Sequence, residues 1–397
     1  MFGILRKRRL KPVVYKRPDH CISRKNIDQD AIRVLYRLSE LGYTAYLVGG
    51  GVRDLLLGRT PKDFDVGTSA KPAEVKRAFR NCFLIGRRFR LAHVRFGDKV
   101  IETATFRKNS QTVGEIIEHA SEGPQEDNEF GTPETDAFRR DFTVNGLFYN
   151  IEDFSVIDWV GGMKDLKKGI IRAIGDPDIR FQEDPVRMMR AIKFSSRLGF
   201  KIERHTAAAI KRRHSCILAA AVPRVCEEVF RLFPYGHSKE AFGMMYSYGL
   251  LGDLLPELSA FIDSDRGLKS RVFAYLSVLD EYEKMMAGKG FEVANAVRAA
   301  VLMAGLYFGG GVPARSTMQA MLTRIKIPKA VYFSAVLFME STRRLSVPPS
   351  RGRQAFVHNR QFLDALDFNR IVLRAEGKSE DVLNEWSDLY EAKGKSQ

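Results

Sequence analysis

The stretch that decides the fold runs from Tyr46 to Val66, YLVGGGVRDLLLGRTPKDFDV. Tyr46-Leu47-Val48 reads as a short apolar strand. Gly49, Gly50 and Gly51 follow, and then a helical run from Val52 to Leu57 that Gly58 ends. After a turn at Pro61, a second strand is expected to present Asp63-Phe64-Asp65. Side chains alternate across a strand, so Asp63 and Asp65 would share one face while Phe64 turns to the core. Two carboxylates on one face repel each other unless a cation lies between them. With oxygen donors alone, Mg²⁺ suits that place best.

The glycines let backbone pass close to phosphate oxygens, with the next helix aiming its N-terminus at them. Gly49, Gly50 and the planar fork of Arg53 are the phosphate-binding candidates. A D-x-D pair alone usually marks a solvated strand end. A triple glycine could also be half of a dinucleotide fingerprint, but Asp54 occupies the place of its third glycine. A phosphate cradle joined to a carboxylate pair points instead to nucleotidyl transfer.

The motif GG-x-x-RD followed by D-x-D resembles the class II nucleotidyltransferases, the family of bacterial poly(A) polymerases and tRNA CCA-adding enzymes. The resemblance continues through RRDFTVN (Arg139 to Asn145), VGGMKDL (Val160 to Leu166) and EDPVRMMRAIKF (Glu183 to Phe194). It is strong over residues 12 to 250 and looser beyond. It implies an α+β protein: a nucleotidyltransferase head with a small mixed β-sheet, then an all-α neck, body and C-terminal arm. It also implies template-independent addition of AMP from ATP to RNA 3′-hydroxyl ends, with two Mg²⁺ ions. Asp63, Asp65 and Asp141 become the catalytic candidates. The third metal carboxylate is either Glu102, in VIETATF, or Asp141, which could instead cap a helix. Arg140 would lie beside the triphosphate, and Asn145 would contact the sugar or hold a loop.

The segment LIGRRFRLAHVRF (Leu84 to Phe96) looks like the signature that separates poly(A) polymerases from CCA-adding enzymes. Arg87, Arg88, Arg90 and Arg95 could follow an RNA backbone, or protect a basic edge strand from aggregation. His93 reads as a packing residue. In the family the helix after Glu183 reads the incoming base, a role carried here to Asp184, Arg187 and Arg190. On spacing alone these three form i,i+3 ion pairs. Arg224, Glu227 and Glu228 fall in the next motif and are expected to support that helix.

The chain has 397 residues with a formal net charge of +16 and 45% hydrophobic residues. That length allows two to four compact units. The positive excess suggests a polyanion, most simply RNA. No apolar run reaches the roughly 20 residues that span a bilayer. MFGILRKRRL lacks the apolar core of a signal peptide. Four scattered cysteines fit a reducing cytoplasm and argue against zinc.

Residues 1–25 hold nine Lys/Arg and one acid, Asp19, and read as an extended basic arm that touches RNA or stays solvated. The head is expected at 26–170, opening with a helix capped by Asn26 or Asp28. Gly114 to Ala137 holds eight Asp/Glu and no Lys/Arg, and reads as an acidic loop, either a gate or a tolerated insertion. A helical neck at 171–240, a body at 241–347 and, after the hinge at Pro348-Pro349, a C-terminal RNA-binding arm at 348–397 complete the plan. Two other readings stay open: a CCA-adding enzyme using CTP and ATP, and an RNA-binding protein with an inactive head.

Overall fold

The computed structural model describes residues 11–86, 90–108, 130–350 and 354–394. The chain forms two compact units that divide between Arg180 and Phe181. The first is α+β and the second is helical, as the sequence led one to expect. The break falls ten residues past the expected head boundary.

Among the described residues, eight strands build the sheet of the first unit: β1 (Val13–Tyr15), β2 (Ala45–Val48), β3 (Asp65–Thr68), β4 (Cys82–Ile85), β5 (Leu91–Phe96), β6 (Lys99–Thr105), β7 (Leu147–Asn150) and β8 (Val156–Asp158). Their order is β1-β8-β7-β2-β3-β6-β5-β4. All neighbours are antiparallel except β3 and β6, which run parallel. Strands β7 and β8 were not anticipated. Leu147, Phe148, Tyr149, Val156 and Ile157 are buried on both faces, and such a run lacks the alternation that marks a half-exposed strand.

Among the described residues these α-helices accompany the sheet: α1 (Gln29–Glu40), α2 (Gly50–Leu56), α3 (Pro72–Ala78), α4 (Pro133–Arg139) and α5 (Gly162–Lys168). Asp28, not Asn26, caps α1, its Oδ1 accepting from the Asp30 and Ala31 amides at 2.8 and 3.3 Å. Ala31, Val34, Leu35 and Leu38 form the buried stripe. Gly42, at φ +82°, turns the chain toward β2.

Two expectations need correction here. The basic arm is not an extended tail from Val13 onward. Val13–Tyr15 pairs with Val156–Asp158, and His20 Nε2 lies 2.9 Å from the Phe154 carbonyl. Sheet pairing pins it where charge counting sees only lysines and arginines. The end of the acidic stretch is also ordered, because Thr132 and Pro133 start α4 and Asp136 is buried. The rest of that stretch, up to Glu129, lies outside the described residues.

In the second unit the described residues are helical apart from the two-residue strand Lys201–Ile202: α6 (Pro177–Glu183, across the division), α7 (Val186–Leu198), α8 (Arg204–Arg213), α9 (Val222–Phe230), α10 (Ser238–Ser247), α11 (Leu250–Leu254) and α12 (Pro256–Ser264). Then come α13 (Arg266–Gly288), α14 (Asn295–Gly310), α15 (Ala314–Ala320), α16 (Lys329–Leu345), α17 (Phe362–Ala375) and α18 (Asp381–Gly394). Helix α14 is buried almost all round from Ala296 to Leu306, the mark of a central core helix. It packs against α13, α16 and α17.

The segment after Pro348-Pro349 therefore differs from the separate arm expected. Phe362, Leu366, Phe368, Ile371 and Trp386 are all buried, and Trp386 Nε1 donates to the Val347 carbonyl at 2.9 Å. Apolar burial of this extent makes the C-terminal helices part of the same core. No helix among the described residues is long and apolar enough to cross a membrane.

Candidate active site

The glycine turn joins β2 to α2. Gly49 has φ +72° and ψ −134°, a conformation L residues with a side chain avoid. A Cβ there would also lie 2.8 Å from Arg140 Nη1, so the turn and Arg140 pack directly together. Helix α2 begins at Gly50, two residues earlier than the pattern suggested. Gly51 lets α2 approach the backbone of Asp63, whose carbonyl would be 3.3 Å from an added Cβ.

Strand β3 starts at Asp65, so Asp63 stands in the segment leading into it rather than within the strand. Strict alternation therefore does not place the pair. Asp63 is exposed, while Asp65 and Phe64 are half-buried. Asp65 pairs with Val48, just before the glycine turn. The parallel register Val66↔Thr103 brings Asp65 level with Glu102 on β6. Burial pushes the Asp65 carboxyl up to about 6, Glu102 and then Asp63 add to the rise, and Arg140 opposes it. Asp63, Asp65, His93 and Glu102 line one cleft of about 740 Å³, together with Lys25, Lys62 and Lys99. His93, expected as a packing residue, is thus half-exposed, with Nε2 3.7 Å from Glu102 Oε1.

Among the described residues no three His, Cys, Asp or Glu side chains are drawn together as a closed metal cage. The carboxylates form an open edge instead. The burial that raises the Asp65 carboxyl, the repulsion from Glu102 and Asp63 that adds to it, and the all-oxygen donor set fit a hard divalent cation.

Arg53 is not where a phosphate ligand would be. It is 3% exposed; Nε donates to Asp54 Oδ1 at 2.9 Å and Nη1 to Asn145 Oδ1 at 2.6 Å. Asn145 Nδ2 in turn donates to Asp141 Oδ1 at 3.0 Å. Asp141 also accepts from the Phe142 amide at 2.8 Å. The GG-x-x-RD and RRDFTVN motifs are therefore one hydrogen-bonded chain. RRDFTVN is tied in turn to VGGMKDL, since Thr143 Oγ1 donates to Asp165 Oδ2 at 2.8 Å. Asp141 does not line the cleft of Asp63 and Asp65.

Arg140 is only partly buried and faces the turn. Its Nε and Nη2 donate to Asp136 Oδ2 at 3.1 and 2.9 Å, Nη1 donates to the Asn145 carbonyl at 3.3 Å, and the guanidinium lies 5.1 Å above the Phe148 ring. Asp136 and Arg180 are the positioning residues that sequence reasoning missed. Asp136 was hidden in an acidic run. Arg180, nearly buried, donates through Nη2 to the Arg139 and Arg140 carbonyls at 2.6 and 2.8 Å. No local pattern announces a partner about forty residues away.

In the second unit Asp184 does not open a helix. It sits between α6 and α7, because the residue before Pro185 disfavours the helical region. Arg224, on α9, grips it with a bidentate fork at 2.9 and 2.8 Å. Arg187 Nη1 donates to Glu183 Oε2 at 3.2 Å, and its Nε lies 3.9 Å from Asp184 Oδ2. Arg190 Nη1 is 3.6 Å from Glu228 Oε1, and Lys193 Nζ donates to Glu228 Oε2 at 2.6 Å. Burial draws the Lys193 ammonium down to about 8 against the pull of Glu228. Arg87 and Arg88 lie outside the described residues; Arg90 is exposed beside them.

A mixed sheet carrying a carboxylate edge beside a glycine turn defines a nucleotidyltransferase head. Residues 45–172 match the model of the poly(A) polymerase head domain, and residues 199–262 match a probable RNA- and SrmB-binding site of polymerase A. Poly(A) polymerase I of Escherichia coli O6:H1 is 48% identical over 254 residues, 62% of this chain and 54% of that protein. The CCA-adding enzyme of Lactobacillus helveticus is 38% identical over 224 residues, 56% of this chain and 54% of that one. A crystal structure of the Bacillus stearothermophilus CCA-adding enzyme with CTP superposes with TM-score 0.68 at 26% identity, covering 92% of this chain and 82% of that one. The chain spans about half the length of the curated relatives it matches. Over residues 45–172 and 199–262 the chain is similar to the bacterial poly(A) polymerases and CCA-adding enzymes.

Proposed function

We propose that the protein adds AMP from ATP to RNA 3′-hydroxyl ends without a template and releases pyrophosphate. The observation that carries this reading is the open carboxylate edge of Asp63, Asp65 and Glu102, set beside the Gly49 turn and Arg140. The 48% identity to a poly(A) polymerase, against 38% to a CCA-adding enzyme, supports ATP as the nucleotide.

Asp63 and Asp65 would hold Mg²⁺, two ions in this reading, with Glu102 as the third carboxylate because it lines their cleft and Asp141 does not. Bound there, divalent cations activate the attacking hydroxyl and neutralise charge on the leaving group. Arg140 and the backbone of Gly49 and Gly50 would meet the triphosphate, fixing its position and spreading its charge. Arg53 then acts at one remove: it orients Asn145, which orients Asp141. In the helical unit, Asp184 accepts from the adenine amino group and Arg187 donates to ring N1, with Arg190 steadying the helix. Arg224 holds Asp184 for that task. The four cysteines are free thiols, which agrees with the cytoplasm as the place of action.

The experiment offers a generic RNA, and a tRNA lacking its CCA end, each single nucleotide with Mg²⁺. Long adenylate tails on both RNAs are expected from ATP alone. Addition that needs CTP and stops once CCA is complete would make the chain a CCA-adding enzyme. No addition at all would leave RNA binding as its activity.

A further inference from the structure

The three strands at one edge of the sheet sort their side chains by face. Cys82, Ala92, Val94, Ile101 and Thr103 are buried. On the other face Phe83, Arg95 and Glu102 are exposed and His93 half-exposed. The register sets Phe83 opposite His93 and His93 opposite Glu102. Glu102 is level with Asp65. One row thus crosses four strands, from an outer aromatic ring to the candidate catalytic carboxylates. Three strand spacings make it about 14 Å long, a distance covered by a short run of nucleotides.

An open sheet face usually carries polar residues. Here Phe83 is 54% exposed and Ile85, two residues along the same strand, is 48% exposed. The Arg95 guanidinium stands over the Phe83 ring at 5.2 Å from its centroid, which extends the platform with a planar cation and leaves the ring accessible. Arg90 is exposed at the same edge. Lys25 and Lys62 line the inner end of the row, and neither side chain has an ion-pair partner among the described residues. An aromatic and imidazole row, cations along it and a reactive edge at one end are what an unpaired polynucleotide requires.

We propose that this face seats the last nucleotides of the RNA, with bases stacked on Phe83 and His93, phosphates against Arg95 and Lys62, and the 3′-hydroxyl delivered to Asp63 and Asp65. The inference rests on the reading that RNA 3′ ends are the acceptor. It adds that the acceptor enters as a single strand along β4 and β5, its 5′ side toward Phe83. Stacking takes any base, so the seat is tolerant of sequence.

The test uses the full chain with Phe83→Ala, Phe83→Leu and Phe83→Trp. Phe83 is largely exposed, and melting curves of the variants are expected to match the wild type. With Phe83→Ala, KM for single-stranded oligo(A) should rise about tenfold, while the ATP KM and kcat at saturating RNA hold. Phe83→Trp should restore the KM and Phe83→Leu should not. A 2-aminopurine placed at the nucleotide seated on Phe83 reports stacking without turnover, and its quenching relative to the free RNA should vanish with Phe83→Ala. An RNA KM unchanged by Phe83→Ala, rescue by leucine equal to that by tryptophan, or quenching that persists would each overturn the proposal. Failure of the wild type to extend any RNA would instead remove the polyadenylation reading, and the quenching signal would still decide the seat.

Discussion

Arg53 Nη1 donates to Asn145 Oδ1 at 2.6 Å although 92 residues separate them in the chain. The bond is buried, and it converts two motifs into one unit. Replacing Arg53 by Ala leaves Asp54 and Asn145 facing a void. We expect a loss of about 3–5 kcal/mol of stability, the cost of breaking a buried charged pair. Arg53→Lys should rescue little, because one ammonium cannot reproduce the two-sided fork. Urea unfolding of the three proteins, paired with kcat for ATP, checks this. Loss of activity with full stability would instead make Arg53 a direct phosphate ligand.

Asp63→Asn and Asp65→Asn should each abolish transfer. The fold should survive, and Asp65→Asn should melt no lower than the wild type, since it removes a carboxylate crowded by Glu102 and Asp63. Turnover near that of the wild type in either variant would end the metal assignment.

Gly49→Ala should cost about 1–3 kcal/mol for a side chain held in a sparsely populated backbone region. It should also push Arg140 away, because the new methyl meets Nη1 at 2.8 Å. Activity is therefore expected to fall further than stability explains. Gly42→Ala, at φ +82° with open space around it, is the control: a similar backbone cost and unchanged ATP kinetics.

Arg187→Ala should lower kcat/KM for ATP by a factor that corresponds to about 1.5–3 kcal/mol for a charged hydrogen bond. It should not open the site to CTP, because cytosine presents the same amino donor and ring acceptor. Arg224→Ala should weaken ATP use as well by releasing Asp184, and Arg224→Lys should not restore it. Single-nucleotide incorporation with all four nucleotides checks these outcomes. Unchanged ATP kinetics in Arg187→Ala would reduce it to an ion-pair partner of Glu183.

Glu376 ties the end of α17 to α13. Burial would raise its carboxyl, but Lys378, Arg271 and Tyr275 hold it down at about 2, below its ordinary 4.5. A depressed carboxylate stabilises the fold above the unfolded value and loses that contribution as pH falls through the folded one. Glu376→Gln should therefore melt lower than the wild type at pH 7, by about 1–2 kcal/mol after allowance for solvent. The gap should close between pH 4.5 and 2. A gap constant over that range would show that the carboxylate charge does not stabilise this helix junction.

By itself the sequence determined the glycine turn and the helical second half, while the class of fold was legible through the resemblance its motifs carry. Each is encoded locally: glycine at positive φ, the strand-then-helix switch of period, and apolar spacing along helices. Only the tertiary structure decided which side chains face the site. Arg53 looked like a phosphate donor because its type and neighbours suit one, yet packing turned it inward to Asn145. Asp136 pairs locally with Arg139 and Arg140, a spacing the surrounding acidic run concealed, and Arg180 carried no signal because its partners are backbone carbonyls brought near by folding. The row from Phe83 to Asp65 depends on strand register across four strands, and register is fixed by long-range pairing. Short-range pattern reports what a segment can become. Burial and pairing, which cost or release energy only once distant segments meet, decide where each polar group must point.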